Sequence, residues 1–399
     1  MPNFGFQTSV GGFSSTVHNA IQKRVLDTLR AGLIALPKGS VWPAEIGPMR
    51  GENFTVALTQ YPDLLDAAVT NPLTEGVPPA ALILGVDSTN FTVAQVGAWT
   101  TATDVAKFQS PHDLRQIAID KIARLAVQTI DNIALTSLAA HTIDKEQTAG
   151  VLSTSLLLDI KGELNARNVQ PVPGAGYYAL CHPYALRGLE GEASLNGYVD
   201  VTSHSAEKAS DLTAGAVSQY RGFTFLRSSR IAGVLSATRT GPTGAFATDI
   251  YTLAGHGLQN GIRIQFVTLT GGGSNIVIST DYYVRDVTTN TFRLAATKGG
   301  VSIDLNTSDI TASTFKTEQF PVYFLGAGSV AAGDVSTLQY FQTDAPDSAN
   351  PLNQFGTTGF KGIFGTKVVT SKDTVSGAGS LGAAVDRMMT ATVMSGETL

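Results

Sequence analysis

The sequence has little cysteine and little charge. Its 399 residues include one cysteine, Cys181, and only 15% of them are charged. A single cysteine rules out an intramolecular disulfide and fits a reducing compartment. The net charge is −5 at pH 7. Sequence-specific nucleic-acid binding requires a basic surface patch, so the net negative charge argues against that role. The same charge is compatible with enclosing DNA.

Export and membrane signals are also missing. Residues Met1 to Gly12 contain no lysine or arginine, and the first apolar segment, Ala31 to Leu36, is too short for export or for spanning a bilayer. We therefore expect a protein that is made in a cytoplasm and has no membrane partner.

Motifs for catalysis and metal binding are absent. There is no H-E-x-x-H spacing, no paired-cysteine spacing, and no serine with glycine both two residues before and two residues after it. Cys181 and His182 are adjacent, but neighbours in a strand point to opposite faces, so Cys181 is interpreted as a core residue. We expect no enzyme activity, no cofactor and no metal. The histidines are scattered: His18, His112, His141, His182, His204 and His256.

One glycine-rich stretch resembles a dinucleotide site. The predicted strand Val322 to Leu325 is followed by Gly326 to Ala331, which fits G-x-G-x-x-A, and Asp344 lies near the spacing of a ribose-binding carboxylate. Only about ten residues separate this strand from the next, too few for the crossover helix of a parallel pair. A turn between two strands is the preferred interpretation, and a dinucleotide-binding enzyme is the less favoured alternative.

Glycine and apolar residues are plentiful. The chain has 41 glycines, and 43% of its residues are hydrophobic. Much of the surface must then be neutral or apolar, which favours a subunit that covers its faces with copies of itself. A monomer with many Ser/Thr-rich loops is the alternative.

The stretch from Ser110 to His141 predicts one long helix. It opens with a capping hydroxyl, a proline and the carboxylate of Asp113, so the helix should begin at Pro111 and run for about 40 Å. At about 100° per residue, two faces separate. The polar face is predicted to carry Asp113, Asp120, Lys121, Arg124, Gln128 and Asp131, and the packed face Ile119, Ile122, Ala123, Ala126, Ile130, Ile133 and Ala134.

Strand and helix patterns around this helix predict an α+β chain with six regions. Residues 51–99 form an extended hairpin, because alternating strands flank the proline-broken segment Tyr61 to Pro79. Residues 236–319 form a separate β module, with a tight turn at Asn260-Gly261 and a hairpin around Thr288 to Asn290. The other regions are an arm and short helix (1–50), the long helix and α/β body (100–235), the C-terminal body strands (320–372), and a mobile tail with a short helix over Leu381 to Met394 (373–399).

Three segments carry a resemblance to a known family. They are Asn71-Pro72-Leu73-Thr74-Glu75-Gly76, Thr92 to Gly97, and Asn350 to Lys361. With the order of elements, they resemble the major capsid proteins of tailed phages, and most closely the coat proteins of N4-type short-tailed phages. In that branch the last segment looks like D-P-L-N-Q-x-G-x-x-G-W-K, where this chain has Asn350 for the acid and Phe360 for the tryptophan.

The resemblance covers roughly Met1 to Arg230 and Phe320 to Lys372. It implies the HK97-like fold, with N-terminal arm, extended hairpin loop, spine helix, and peripheral and axial α/β domains. The inserted β module is expected on the shell exterior.

The resemblance further implies a virion subunit that forms pentamers and hexamers of an icosahedral shell around DNA. Its partners would be copies of itself, the portal, and scaffolding or decoration proteins. A tail or fibre protein is the alternative, although neither repeats nor heptads occur. Candidate subunit contacts are Asn71, Pro72, Leu73, Thr74, Glu75, Asn350, Pro351, Leu352, Asn353 and Lys361, with Glu75 and Lys361 expected to fix the register between subunits.

Overall fold

The structure is a computed structural model in which two compact units are distinguished. The first comprises Met1–His141, Arg167–Pro173 and Gly326–Arg387, and the second Thr142–Ala166, Gly174–Leu325 and Met388–Leu399. The predicted arm, residues 17–33 of the predicted short helix, and residues 61–74 and 77–86 of the predicted hairpin lie outside the described residues. Those described are 34–37, 40–43, 55–60, 75–76, 87–147, 150–191, 219–272, 274–305, 308–343, 352, 354–371 and 385–394.

The first unit is built on a four-stranded sheet with a helix on one face. The strand order is β1 (Val41–Pro43), β17 (Val330–Thr343), β18 (Phe355–Val368) and β4 (Ala94–Thr103). Two helices follow β4, α1 (Asp104–Gln109) and α2 (Leu114–Ala139). Paired residues of neighbouring strands point to the same face. One such row, Ala98, Phe360 and Tyr340, packs with Ile122 and Ala126 of α2 in one apolar cluster.

The long helix begins three residues later than predicted. Asp113 Oδ1 accepts a hydrogen bond from the backbone N–H of Gln116 at 3.2 Å, so Asp113 caps α2, which starts at Leu114. Ser110 is instead the C-cap of α1. Residues Ser110 to Asp113, which were predicted to start one long helix, therefore lie between two helices.

The buried side of α2 largely confirms the predicted packed face. Ile119, Ile122, Ala123, Ala126, Ile130 and Ala134 are all buried. Asp131, however, was wrongly predicted on the polar face and is 1% exposed. Its Oδ1 accepts the backbone N–H groups of Ile34 at 3.1 Å and Ala35 at 2.8 Å. The carboxylate thus binds the segment that leads into β1, and a charged acceptor makes these hydrogen bonds stronger than neutral ones.

The predicted hairpin is observed as an antiparallel pair. Strands β2 (Thr55–Gln60) and β3 (Asp87–Thr92) pair from Thr55 opposite Thr92 to Gln60 opposite Asp87. Val56 and Phe91 belong to an apolar cluster with Ala331 and Val369, so the base of the hairpin is packed within the first unit.

The second unit contains a 13-stranded sheet organised around β16 (Ile310–Leu325). This unit also contains two helices, α3 (Thr154–Ala166) and α4 (Pro183–Glu190). None of the helices in the described part of the chain has the length and apolar character needed to cross a bilayer. The strands of this sheet besides β16 are β5 (Lys145–Glu146), β6 (Tyr177–Cys181), β7 (Gln219–Tyr220), β8 (Phe223–Arg227), β9 (Val234–Leu235), β10 (Arg239–Thr240), β11 (Thr243–Ala245), β12 (Ile250–Thr252), β13 (Arg263–Gly271), β14 (Asp281–Arg285), β15 (Thr291–Ala295) and β21 (Met388–Val393).

Six of these strands close into a ring. Their order is β11, β12, β15, β14, β13 and β16, and Gly244 of β11 pairs with Ile310 of β16 to complete it. The ring encloses Tyr251, Phe266 and Phe315, all fully buried. The hairpin predicted around Thr288 to Asn290 joins β14 to β15, as expected. The turn predicted at Asn260-Gly261 is observed, with Gly261 at φ 82°. It does not join two paired strands, because the strand that follows it, β13, pairs with β14 and β16.

The helix predicted within Leu381 to Met394 was wrong as well. Residues Met388–Val393 form strand β21, which lies antiparallel to β16 and parallel to β5. All six residues are buried. Hydrogen-bonding partners on both edges, together with burial of both faces, outweigh the weak helical pattern of this segment. The remaining strands, β19 (Thr370–Ser371) and β20 (Val385–Asp386), pair with each other in the first unit.

We expect Met389→Ala to lower the free energy of unfolding by about 2–5 kcal/mol, because it removes a fully buried side chain from a central strand. Leu352→Ala is the control, since Leu352 is 76% exposed and its loss should cost less than about 0.5 kcal/mol. Urea unfolding measures both, and equal stabilities of the two variants would contradict the buried position of β21.

Asp131→Ala should lower the free energy of unfolding by about 2–4 kcal/mol, because it removes the acceptor of two backbone N–H groups. Asp131→Asn retains an acceptor oxygen and should lose less. Thermal unfolding followed by circular dichroism compares the two variants. An identical loss in both would mean that the carboxylate oxygen does not hold Ile34 and Ala35.

Candidate assembly surface

The face of the four-stranded sheet opposite α2 carries exposed aromatic side chains. Gly359 in β18 pairs with Trp99 in β4 on one side and with Phe341 in β17 on the other. The three residues therefore form one row on the same face. Trp99 is 70% exposed and Phe341 43% exposed. Exposed aromatic side chains grouped in this way are typical of an interaction surface.

Gly359 forms the floor of a groove between these aromatic residues. The groove has a volume of about 640 Å³, and Gln95, Thr357 and Lys361 also line it. A Cβ atom at position 359 would lie 2.9 Å from the carbonyl oxygen of Ala98 and 2.9 Å from Cβ of Trp99. Glycine is therefore the residue that fits here, because a side chain would collide with β4 and fill the groove.

Lys361 supplies the charge of the groove. In the next row it lies opposite Gly97 on one side and Gln339 on the other, and it is exposed. None of the ion pairs between described side chains includes Lys361. The surface thus combines two aromatic walls with one accessible cation, and this combination suits a partner that is both apolar and acidic.

The predicted contact residues are only partly placed. Lys361 lies at the groove, Leu352 is 76% exposed in a turn, and Glu75 is exposed in the turn it forms with Gly76. The structure does not join Glu75 to Lys361 within the chain. The other candidates lie outside the described residues: Asn71, Pro72, Leu73, Thr74, Asn350, Pro351 and Asn353.

Sequence reasoning missed Trp99 and Phe341 as functional residues. Trp99 occupies an outward position of an alternating strand, which is a detectable pattern. Its neighbour Phe341 lies more than 200 positions away, and only the register through Gly359 brings the two together.

The adjacent residues Cys181 and His182 have separate structural roles. Cys181 is fully buried, and burial raises the pKa of its thiol to about 12, so it is protonated at neutral pH. His182 Nδ1 accepts the backbone N–H of Tyr184 at 3.1 Å and caps α4. Burial lowers the pKa of His182, which favours the neutral form that this cap requires.

The glycine-rich stretch after Leu325 is a turn, as preferred from the sequence. The Ala327 N–H donates to Gln170 O at 2.8 Å, and the Val330 N–H donates to Ser40 O at 3.1 Å. Strand β17 follows the turn, in place of the helix whose N-terminus holds a pyrophosphate in dinucleotide sites. The N–H groups of Ala327 and Val330 are thus already paired within the fold. Among the described residues, no three His, Cys, Asp or Glu side chains come together as a metal site.

The sequence matches no protein-family model and no curated protein. Similarity appears in the fold. The capsid of Ralstonia phage GP4 matches with a TM-score of 0.52 at 10% identity, over 89% of this chain and 87% of that one. The acid-stable capsid of Helicobacter pylori bacteriophage KHP30 matches with a TM-score of 0.53 at 10% identity, over 90% and 88%. The predicted resemblance to phage capsid proteins is thus confirmed at the level of the fold.

Gly359→Ala should lower the free energy of unfolding by about 1–3 kcal/mol, because the added methyl group overpacks the contact with β4. Gly162→Ala is the matched control. It lies in α3 with no heavy atom within 4 Å of a Cβ, so it should raise stability by about 0.5–1 kcal/mol. Denaturant unfolding of both variants tests the contact, and the same sign for both would argue against it.

Proposed function

We propose that the chain is the major capsid protein of a tailed bacteriophage, assembling into pentamers and hexamers of an icosahedral shell that encloses DNA. The observation that carries this proposal is the likeness in fold to two phage capsids, over 89% and 90% of this chain. The chain would then act as a structural subunit of the virion, assembled in the host cytoplasm.

The composition and the open sheet face support this role. A shell subunit must leave surfaces that fit its neighbours, and the row through Trp99, Gly359 and Phe341 is such a surface. The net charge of −5 gives no basic footprint, which suits a wall that encloses DNA without binding particular sequences. Many weak contacts can then stabilise a closed shell while each remains reversible, since about 1.4 kcal/mol changes an affinity tenfold.

The finer assignments follow the resemblance. In the HK97-like arrangement, α2 is the spine helix and residues 51–99 form the extended loop that lies across an adjacent subunit. The ring of strands within residues 236–319 is the inserted β domain and faces the shell exterior. Its entry and exit lie side by side, because Arg239 pairs with Phe315, as an inserted domain requires. An N4-type branch, a portal, and scaffolding or decoration partners belong to the same proposal.

Deleting Asp63 to Pro78 should leave a folded subunit that no longer forms shells, because the segment that spans to the neighbour is gone. Circular dichroism tests folding, and sedimentation with negative-stain microscopy tests assembly. The control replaces the same residues with a Gly/Ser segment of equal length, which should also abolish shells if the native side chains make the contact. Normal particles from the deletion would refute the role of the hairpin.

A further inference from the structure

One loop crosses an end of the ring of strands. It connects β12 to β13, and in the order around the ring β15 and β14 lie between those two strands. The loop, residues 253–262, therefore passes the turn of the β14–β15 hairpin, and we call it the crossing loop. The Leu253 N–H donates to Asn290 O in this turn at 2.9 Å. Near the other end of the loop, the Gly261 N–H donates to Val284 O at 2.7 Å.

His256 lies buried in the middle of the crossing loop. It is 1% exposed, and its imidazole packs edge-on against Phe292, with 5.2 Å between the ring centroids. Gly255 and Gly257, on either side, have φ angles of 58° and 63°, which glycine adopts without strain. The two glycines thus allow the loop to turn the histidine side chain toward Phe292.

The imidazole of His256 accepts a hydrogen bond from the loop itself. The Leu258 N–H donates to His256 Nδ1 at 2.9 Å, and Leu258 is buried as well. A ring nitrogen that accepts a hydrogen bond carries no proton, so His256 is neutral with its proton on Nε2. Protonation of Nδ1 would replace the acceptor with a second donor. The buried N–H of Leu258 would then lose its partner, which is unfavourable.

The surroundings of His256 also oppose a positive charge. Among the described residues, Arg239 of β10 is the charged side chain that acts on it, and its guanidinium donates to His256 O at 3.4 Å. Glu146 in turn stabilises the charge of Arg239. Burial is the main cause that lowers the pKa of His256, and Arg239 lowers it further. The backbone groups of Thr291 and Thr288 act in the opposite direction.

We propose that His256 makes the crossing loop a pH-sensitive closure of the ring of strands. Neutral His256 holds the loop against Phe292, and protonated His256 releases it. The closed loop has its full stability above the free histidine pKa of about 6.5. It loses that stability as the pH falls from there through the lower pKa of the buried side chain. The inference goes beyond the capsid proposal and does not depend on it, because the loop and the ring belong to one chain.

Hydrogen exchange of the dilute full-length protein tests this closure. Exchange is compared at about pH 7.5 and about pH 5, on either side of the free histidine pKa. Protection factors are used, because they remove the pH dependence of the chemical exchange rate. We expect protection of residues 253–262 to fall at least about threefold, with a ceiling of about tenfold per pH unit for one proton. Strand β6 is the internal control and should keep its protection, whereas unchanged protection of the loop would overturn the proposal.

His256→Asn separates the histidine from other effects of acid. Asparagine offers a carbonyl oxygen in place of Nδ1 and does not titrate, so the acid-induced loss of protection should disappear. His112→Asn is the matched control, because His112 is exposed and lies outside the second unit, and its response should equal that of the wild type. An acid-induced loss that persists in His256→Asn would contradict the proposal.

Arg239→Gln tests the same closure with the histidine retained. Removing the cation should raise the pKa of His256 toward its free value, so the acid-induced loss of protection should shrink about twofold or more. Titration of the imidazole by NMR measures the pKa in the wild type and in this variant. A wild-type pKa at or above about 6.5 would overturn the proposal, whether or not the asparagine variant folds.

Discussion

The packing of α2 against one face of the four-stranded sheet is the constraint on which the first unit depends. A sheet has two faces, and this helix covers the face formed by Ala98, Phe360 and Tyr340. Strand alternation then directs Trp99, Lys361 and Phe341 to the other face, where the structure leaves them exposed. The same register that builds the core therefore creates the surface. Asp131 supports the arrangement, because its buried carboxylate fastens residues 34 and 35 to the covering helix.

The polar groups that resemble a reactive site are engaged in holding the fold. Cys181 is a buried, protonated thiol, and His182 is a helix cap. In the glycine-rich turn after β16, the Ala327 N–H donates to Gln170 O, and at the start of β17 the Val330 N–H donates to Ser40 O. The fold is similar to that of two phage capsid proteins, and the described part of the chain carries an exposed aromatic groove on one sheet face.

Several elements could be predicted from local pattern, and others could not. The apolar period of α2 fixed its buried residues, and the turn at Thr288 to Asn290 identified the hairpin of β14 and β15. The same kind of reasoning failed for Asp131, because its partners are backbone groups nearly 100 positions away. It failed for β21, since a short segment becomes a strand when β5 and β16 offer it two edges. For the candidate site, Glu75, Leu352 and Lys361 were named from motifs, whereas the groove itself depends on pairing across three strands.

The sequence by itself determined the low charge content, the single thiol and one long amphipathic helix. It also determined strands whose alternating side chains point to two opposite faces. These properties are local, so periodicity and residue chemistry are enough to establish them. Only the tertiary structure decided which face is covered, that Gly359 lies between Trp99 and Phe341, and that β21 joins the sheet around β16. Strand register and edge pairing join distant residues through backbone hydrogen bonds, and those bonds carry almost no side-chain signature.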